Sequence, residues 1–74
     1  MGDKLNSRIP ELLKDSEARR MFIAGCMMKG MSEYTARKIA NGNTDAQASN
    51  LAIAASVLQK DFGDLFFVNG GKEQ

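Results

Sequence analysis

Gly30-Met31-Ser32-Glu33-Tyr34-Thr35-Ala36-Arg37-Lys38-Ile39-Ala40-Asn41-Gly42 is the stretch on which the fold turns. Gly30 lets the chain reverse through a left-handed backbone state at the end of a preceding helix. Ser32 is a good N-cap, and Glu33 just inside it complements the positive end of a helix dipole. Asn41-Gly42 then supplies two residues that tolerate positive φ, a stop signal. The stretch therefore reads as a short helix closed off at both ends by chain reversals.

The same punctuation organises the flanking sequence. Toward the N-terminus, Asp15 or Ser16 caps a helix that runs to about Lys29, with Glu17 in its first turn. Before it, a short helix is expected from near Ser7 to around Lys14. Pro10 is tolerated in its first turn, and Ile9, Leu12 and Leu13 form its apolar stripe. Toward the C-terminus, Thr44-Asp45-Ala46-Gln47 has the form of a capping box opening a fourth helix to about Leu58. A fifth segment, Asp61 to Phe67, carries Phe62, Leu65 and Phe66 at helical spacing. The β-branched residues neither cluster nor alternate, so no strand is expected. The expectation is an all-α fold, a compact bundle of about five short helices in one domain over residues 1–68. Residues 69–74 would be a flexible tail.

A chain of 74 residues buries only about 60% of the surface that its unfolded form exposes, so stability is marginal without a staple. The single cysteine, Cys26, cannot close an intrachain disulfide, and no histidine is present to complete a Cys/His zinc site or a His-based catalytic triad. Cys26 lies in the apolar run Met21 to Met28, with no basic neighbour nearer than Lys29, and reads as an inert core thiol. Gly70-Gly71-Lys72-Glu73 lacks the spaced leading glycine and the Ser/Thr of a phosphate loop. No enzyme, metal, cofactor or small-molecule substrate is expected. The eight-residue apolar run falls short of the ~20 that a membrane span needs, and acidic residues interrupt the first twenty positions, unlike a secretory signal. Met1-Gly2 opens like a myristoylation signal, but Asn6 stands where Ser or Thr belongs. A lone thiol suits a reducing, cytoplasmic setting.

The net charge is +1, unevenly spread. Residues 1–38 carry eight basic against five acidic groups, while residues 39–74 carry two basic (Lys60, Lys72) against four acidic. The basic half ends in Arg37-Lys38. Two helices joined by a short glycine turn describe a helix-turn-helix, whose second helix can lie in a DNA major groove. Gly30, Met31 and Ile39 meet the needs of its turn and core. Ser32, Glu33, Tyr34, Arg37, Lys38 and Asn41 offer groups able to touch base edges and phosphates.

The segment Gly30 to Gly42 resembles the recognition-helix region of the phage Cro/CI (lambda-repressor-like) family, whose pattern is glycine, an apolar residue, Ser, a polar stretch, Ile, then Asn-Gly. The likeness continues in Leu51, Ala55 and Leu58, and in Asp64-Leu65-Phe66, so that about half of the chain is covered. It departs at Gly25 and Cys26, where the family places Leu-Ala, and at Lys29, Ala40 and Ala46. The resemblance implies a small phage or mobile-element transcriptional regulator that binds double-stranded DNA as a dimer. It implies base or groove-edge contacts from Ser32, Glu33, Tyr34 and Lys38, and phosphate contacts from Arg37, Asn41, Asn43 and Thr44. The alternative is a protein-binding modulator or antirepressor that pairs with a repressor.

The helical wheels leave one question open. Ala48, Ala54, Ala55 and Leu58 fall within about 60° of Leu51, but Ile53 and Val57 project from the opposite face. Ile23 and Met27 likewise lie opposite Met21, Phe22 and Gly25. Ile23, Met27, Ile53 and Val57 are either wrapped in a small bundle or form an interface with a second copy or a partner repressor.

Overall fold

Seven elements follow one another in the computed structural model, which describes residues 4–69: β1 (Lys4–Ser7), α1 (Ile9–Leu12), α2 (Ser16–Met28), α3 (Glu33–Ala40), α4 (Ala48–Leu58), α5 (Phe62–Leu65) and β2 (Phe66–Asn69). Five short helices are present, as the turn signals required. Asp15 caps α2 by accepting from the Ala18 amide at 3.2 Å, and Ser32 caps α3 by accepting from the Thr35 amide at 3.2 Å. No described helix is long and apolar enough to cross a membrane.

Three helices end on one device. After α2, the Met31 amide donates to the Cys26 carbonyl and the Gly30 amide to the Met27 carbonyl, with Gly30 at φ +101°. After α3, the Asn43 amide donates to Lys38 and the Gly42 amide to Ile39, with Gly42 at φ +100°. After α4, the Lys60 amide donates to Ala55 and the Gln59 amide to Ser56, with Gln59 at φ 58°. Each is the paired-bond reversal that satisfies the last carbonyls of a helix, and each needs one left-handed residue. Asn41 itself stays right-handed at φ −82°, so Gly42 alone makes the second reversal.

Two starts differ from the sequence reading. Arg8, not Ser7, is the N-cap of α1, although the Ser7 hydroxyl oxygen still accepts from the Ile9 amide at 3.0 Å. The capping box at Thr44 does not form. Thr44 Oγ1 instead donates to the Leu5 carbonyl at 2.7 Å, and Asn43 Oδ1 accepts from the Asp45 amide at 2.7 Å. With Thr44 held by β1, α4 begins later, after an extended Gln47 that makes no side-chain cap.

The larger correction is the pair of strands. β1 and β2 run antiparallel with Leu5 opposite Val68, Asn6 opposite Phe67 and Ser7 opposite Phe66. Two-stranded ribbons are marginal by themselves. This one is anchored from several directions. Phe66 is buried and Leu5 packs against the core, while the Arg8 amide donates to the Leu65 carbonyl at 2.7 Å. The Arg8 guanidinium sits 4.4 Å from the centroid of the Phe67 ring, a cation–π contact across the ribbon. Asn69, assigned to a flexible tail by the sequence reading, is the last residue of β2; residues 70–74 lie outside those described.

The core gathers Ile9, Leu13, Phe22, Ile23, Cys26, Met31, Ala36, Ile39, Ala40, Leu51, Ala54, Ala55, Leu65 and Phe66, and no polar or charged side chain among the described residues is buried with them. Helices α2 and α4 approach closely at Gly25, where a Cβ would lie 2.9 Å from Val57 Cγ1. Alanine at position 25 would gain about 1 kcal/mol in helix propensity over glycine but overpack against a stiff β-branched side chain. Gly25→Ala is expected to destabilise the native chain by about 1 kcal/mol. In a Val57→Ala background the same change becomes stabilising, because the obstructing methyl is gone. Urea unfolding of the four proteins in a double-mutant cycle measures this reversal. An unchanged sign would mean that the helices do not meet at this point.

Candidate nucleic-acid interface

The α2 reversal places Met31 in the core, only 5% exposed, beside the buried Cys26. Together with the Ser32 cap it sets the direction of α3. Ala36, Ile39 and Ala40 bury one side of α3, so Glu33, Tyr34, Arg37, Lys38 and Asn41 fall on the other. The arrangement follows from 3.6 residues per turn. Arg37 and Lys38 in the last turn also complement the negative end of the helix dipole.

The exposed face divides into two edges. On one, Arg37 reaches back to Glu33, with Nη2 at 2.8 Å and Nε at 2.9 Å from the same carboxylate oxygen. An exposed pair at this spacing stabilises by only about 0.3–0.5 kcal/mol, but it offsets part of the positive charge that Arg37 presents outward. On the other edge, the Lys38 ammonium lies 5.2 Å from the centroid of the Tyr34 ring. Tyr34 is 71% exposed and does not pack into the domain. Lys38 also borders a shallow cleft with Thr35, Asp45, Gln47 and Asn50.

Six of the eight expected contact residues, Ser32, Glu33, Tyr34, Arg37, Lys38 and Asn41, thus come together on α3 and its cap, and Asn43 follows at its end. Their hydrogen-bonding capacity is not equal. Ser32 Oγ accepts from the Thr35 amide as the cap and donates its hydroxyl hydrogen to Thr35 Oγ1 at 2.9 Å, so that hydrogen is already spent. Asn43 commits its carbonyl oxygen to Asp45 and keeps its side-chain amide hydrogens. The Thr44 hydroxyl is spent on Leu5, which leaves no hydrogen for a phosphate while that bond holds.

The four expected interface residues divide as well. Ile23 is a core residue, 7% exposed, because Phe22, Cys26 and Ile23 together define the inward face of α2. Ile53 and Val57 are half-buried and pack against the core. Met27 is 45% exposed. Exposed apolar side chains lie elsewhere on α2, at Met21 (66%) and Met28 (87%), with Leu12 of α1 also exposed.

One feature escaped the sequence reading. Arg19 and Arg20 border a groove between α2 and α3 with Ile23, Ala24, Met27 and Arg37. The signal was present as spacing, since Arg19 and Arg20 stand one helical turn before Ile23 and Ala24. Cys26 is fully buried, and burial pushes its thiol up to about 11, which disfavours the nucleophilic thiolate near neutral pH. Compared with models of protein families, with curated protein sequences and with solved structures, the chain matches none of them.

Proposed function

We propose that this chain is a non-enzymatic, sequence-specific DNA-binding regulator of the Cro/CI-like helix-turn-helix type, working in a reducing compartment. The observation that carries the reading is the exposed face of α3. It stands on a helix fixed at both ends and offers Tyr34, Arg37, Lys38 and Asn41 together. In this reading α3 enters the major groove, Lys38 reads base edges alongside Tyr34, and Arg37, Asn41 and Asn43 hold the phosphates on either side.

Fluorescence anisotropy with duplexes selected from a random pool tests it. With the two cations of this face, Arg37 and Lys38, neutralising about two phosphate charges per chain, affinity should fall roughly 12-fold between 50 and 200 mM salt. Arg37→Ala should weaken every duplex alike and flatten the salt slope by about one, whereas Lys38→Ala should narrow the gap between selected and random duplexes. Absence of binding to any duplex at low salt ends the proposal.

A second reading, a modulator that pairs with a repressor protein, is favoured by one observation: Met21, Met28 and Leu12 expose flexible apolar surface away from α3. Capture of a repressor by the purified chain without DNA, together with failure to bind duplexes, would support it.

A further inference from the structure

The groove between α2 and α3 combines an apolar floor with unspent positive charge. Its floor is Ile23, Ala24 and Met27, and its rim is Arg19, Arg20 and Arg37. Arg37 is paired with Glu33, but neither Arg19 nor Arg20 forms an ion pair with any described residue. Ala24 is exposed and small, which leaves room above the floor, and Met27 can adjust its thioether to an aromatic ring.

A complementary shape occurs in the same chain. Asp61 and Asp64 flank Phe62 at the start of α5. Asp61 occupies an N-cap position with the right chemistry for capping, yet its side chain caps nothing, unlike that of Asp15. Neither aspartate is in an ion pair with a described residue. Phe62 is 41% exposed, and its ring rests on Phe66 with centroids 4.7 Å apart, so it is supported from within while part of its surface stays in water. An exposed aromatic between two unpaired carboxylates matches an apolar groove bordered by two unpaired guanidinium groups.

We infer that the α2–α3 groove is a docking site for the Asp61-Phe62-Gly63-Asp64 tip of a second copy of this chain. Phe62 enters over Ala24 and Met27, and Asp61 and Asp64 meet Arg19 and Arg20. The contact joins two different surfaces, so it is heterologous: each copy carries one groove and one tip. The inference stands apart from the DNA reading, and its test contains no nucleic acid.

Sedimentation equilibrium on the full chain, over about 10 to 500 μM at low salt, should show a mass that rises with concentration. Raising the salt to about 0.5 M should reverse the rise, because the charges involved lie at the surface. Two variants separate the surfaces: Arg19→Glu with Arg20→Glu disables the groove, and Asp61→Lys with Asp64→Lys disables the tip. Circular dichroism checks that both remain folded. Each should be monomeric alone, and an equimolar mixture should regain association, since one partner keeps a working groove and the other a working tip. A native chain that stays monomeric throughout, a variant that still self-associates, or a folded mixture that fails to associate each overturns the inference.

Discussion

Replacing Ile39 by alanine is expected to destabilise the chain by about 3–4 kcal/mol, the largest effect of any single truncation on α3. Ile39 has no exposed surface, and it is among the largest fully buried side chains, with Ile9, Leu65 and Cys26. It is also the residue that points α3 inward. Its neighbours on that face, Ala36 and Ala40, are too small to fill the space it would leave. A domain of this length has a total stability on the order of 4–11 kcal/mol, so such a loss takes a large share of it. In thermal unfolding the midpoint should fall by about 12 to 32 °C, while Ile39→Val should cost only about 1 kcal/mol. A fall of less than a few degrees for the alanine variant would show that α3 is not docked through this residue. The exposed face of α3 would then lack the fixed base on which its proposed use depends.

The second large effect concerns the reversal after α3. Gly42→Ala should cost about 2–3 kcal/mol, and Gly30→Ala only about 1–2 kcal/mol, although both glycines have nearly the same positive φ. The difference lies in their surroundings. A Cβ on Gly42 would sit 3.0 Å from Pro10 Cγ, whereas one on Gly30 would meet nothing within 4 Å. Backbone strain is thus common to both sites, and steric contact belongs to Gly42 alone. Chemical denaturation of both variants gives the ranking. A Pro10→Ala background should bring the cost at Gly42 down to that at Gly30. Equal costs in the native background would mean that α1 does not pack against the turn.

Both effects bear on what the sequence discloses. The helices and their ends were legible because their signals are local: Asp15 and Ser32 bond to amides three residues away, and Gly30 and Gly42 reverse the chain where they stand. The strands were not legible, because Leu5 and Val68 meet only after the whole bundle has formed between them. Phe66-Phe67-Val68 is a run of strand-favouring residues, but Phe62, Leu65 and Phe66 also fit a helical stripe, and the helical spacing prevailed. Thr44 is the clearest case of a local signal overridden. A well-formed capping box gave way to a hydrogen bond with a carbonyl 39 positions earlier in the chain.

The exposed face of α3 could be read from periodicity once Ile39 and Ala36 were assigned inward. What periodicity cannot supply is which polar groups are already occupied. The pairing of Arg37 with Glu33 and the self-contained hydroxyl of Ser32 depend on rotamers. The inward turn of Ile23 depends on where α3 and α4 lie around α2. That also decides why Met21, placed on the core side by the wheel, is exposed.

The ribbon joining Leu5 to Val68 has a kinetic consequence. Helices α1 to α4 and their reversals form on local bonds and pack by closing loops of about thirty residues, as between Gly25 and Val57, but pairing β1 with β2 closes a loop of about sixty residues and must overcome the larger chain entropy. The ribbon should therefore form late, after the rate-limiting barrier to folding. Changes that strengthen it, such as a tighter contact between Arg8 and Phe67, would then slow unfolding while leaving the folding rate nearly unchanged. In a chain whose single cysteine cannot close an intrachain disulfide, that clasp sets how long a molecule, once folded, stays folded.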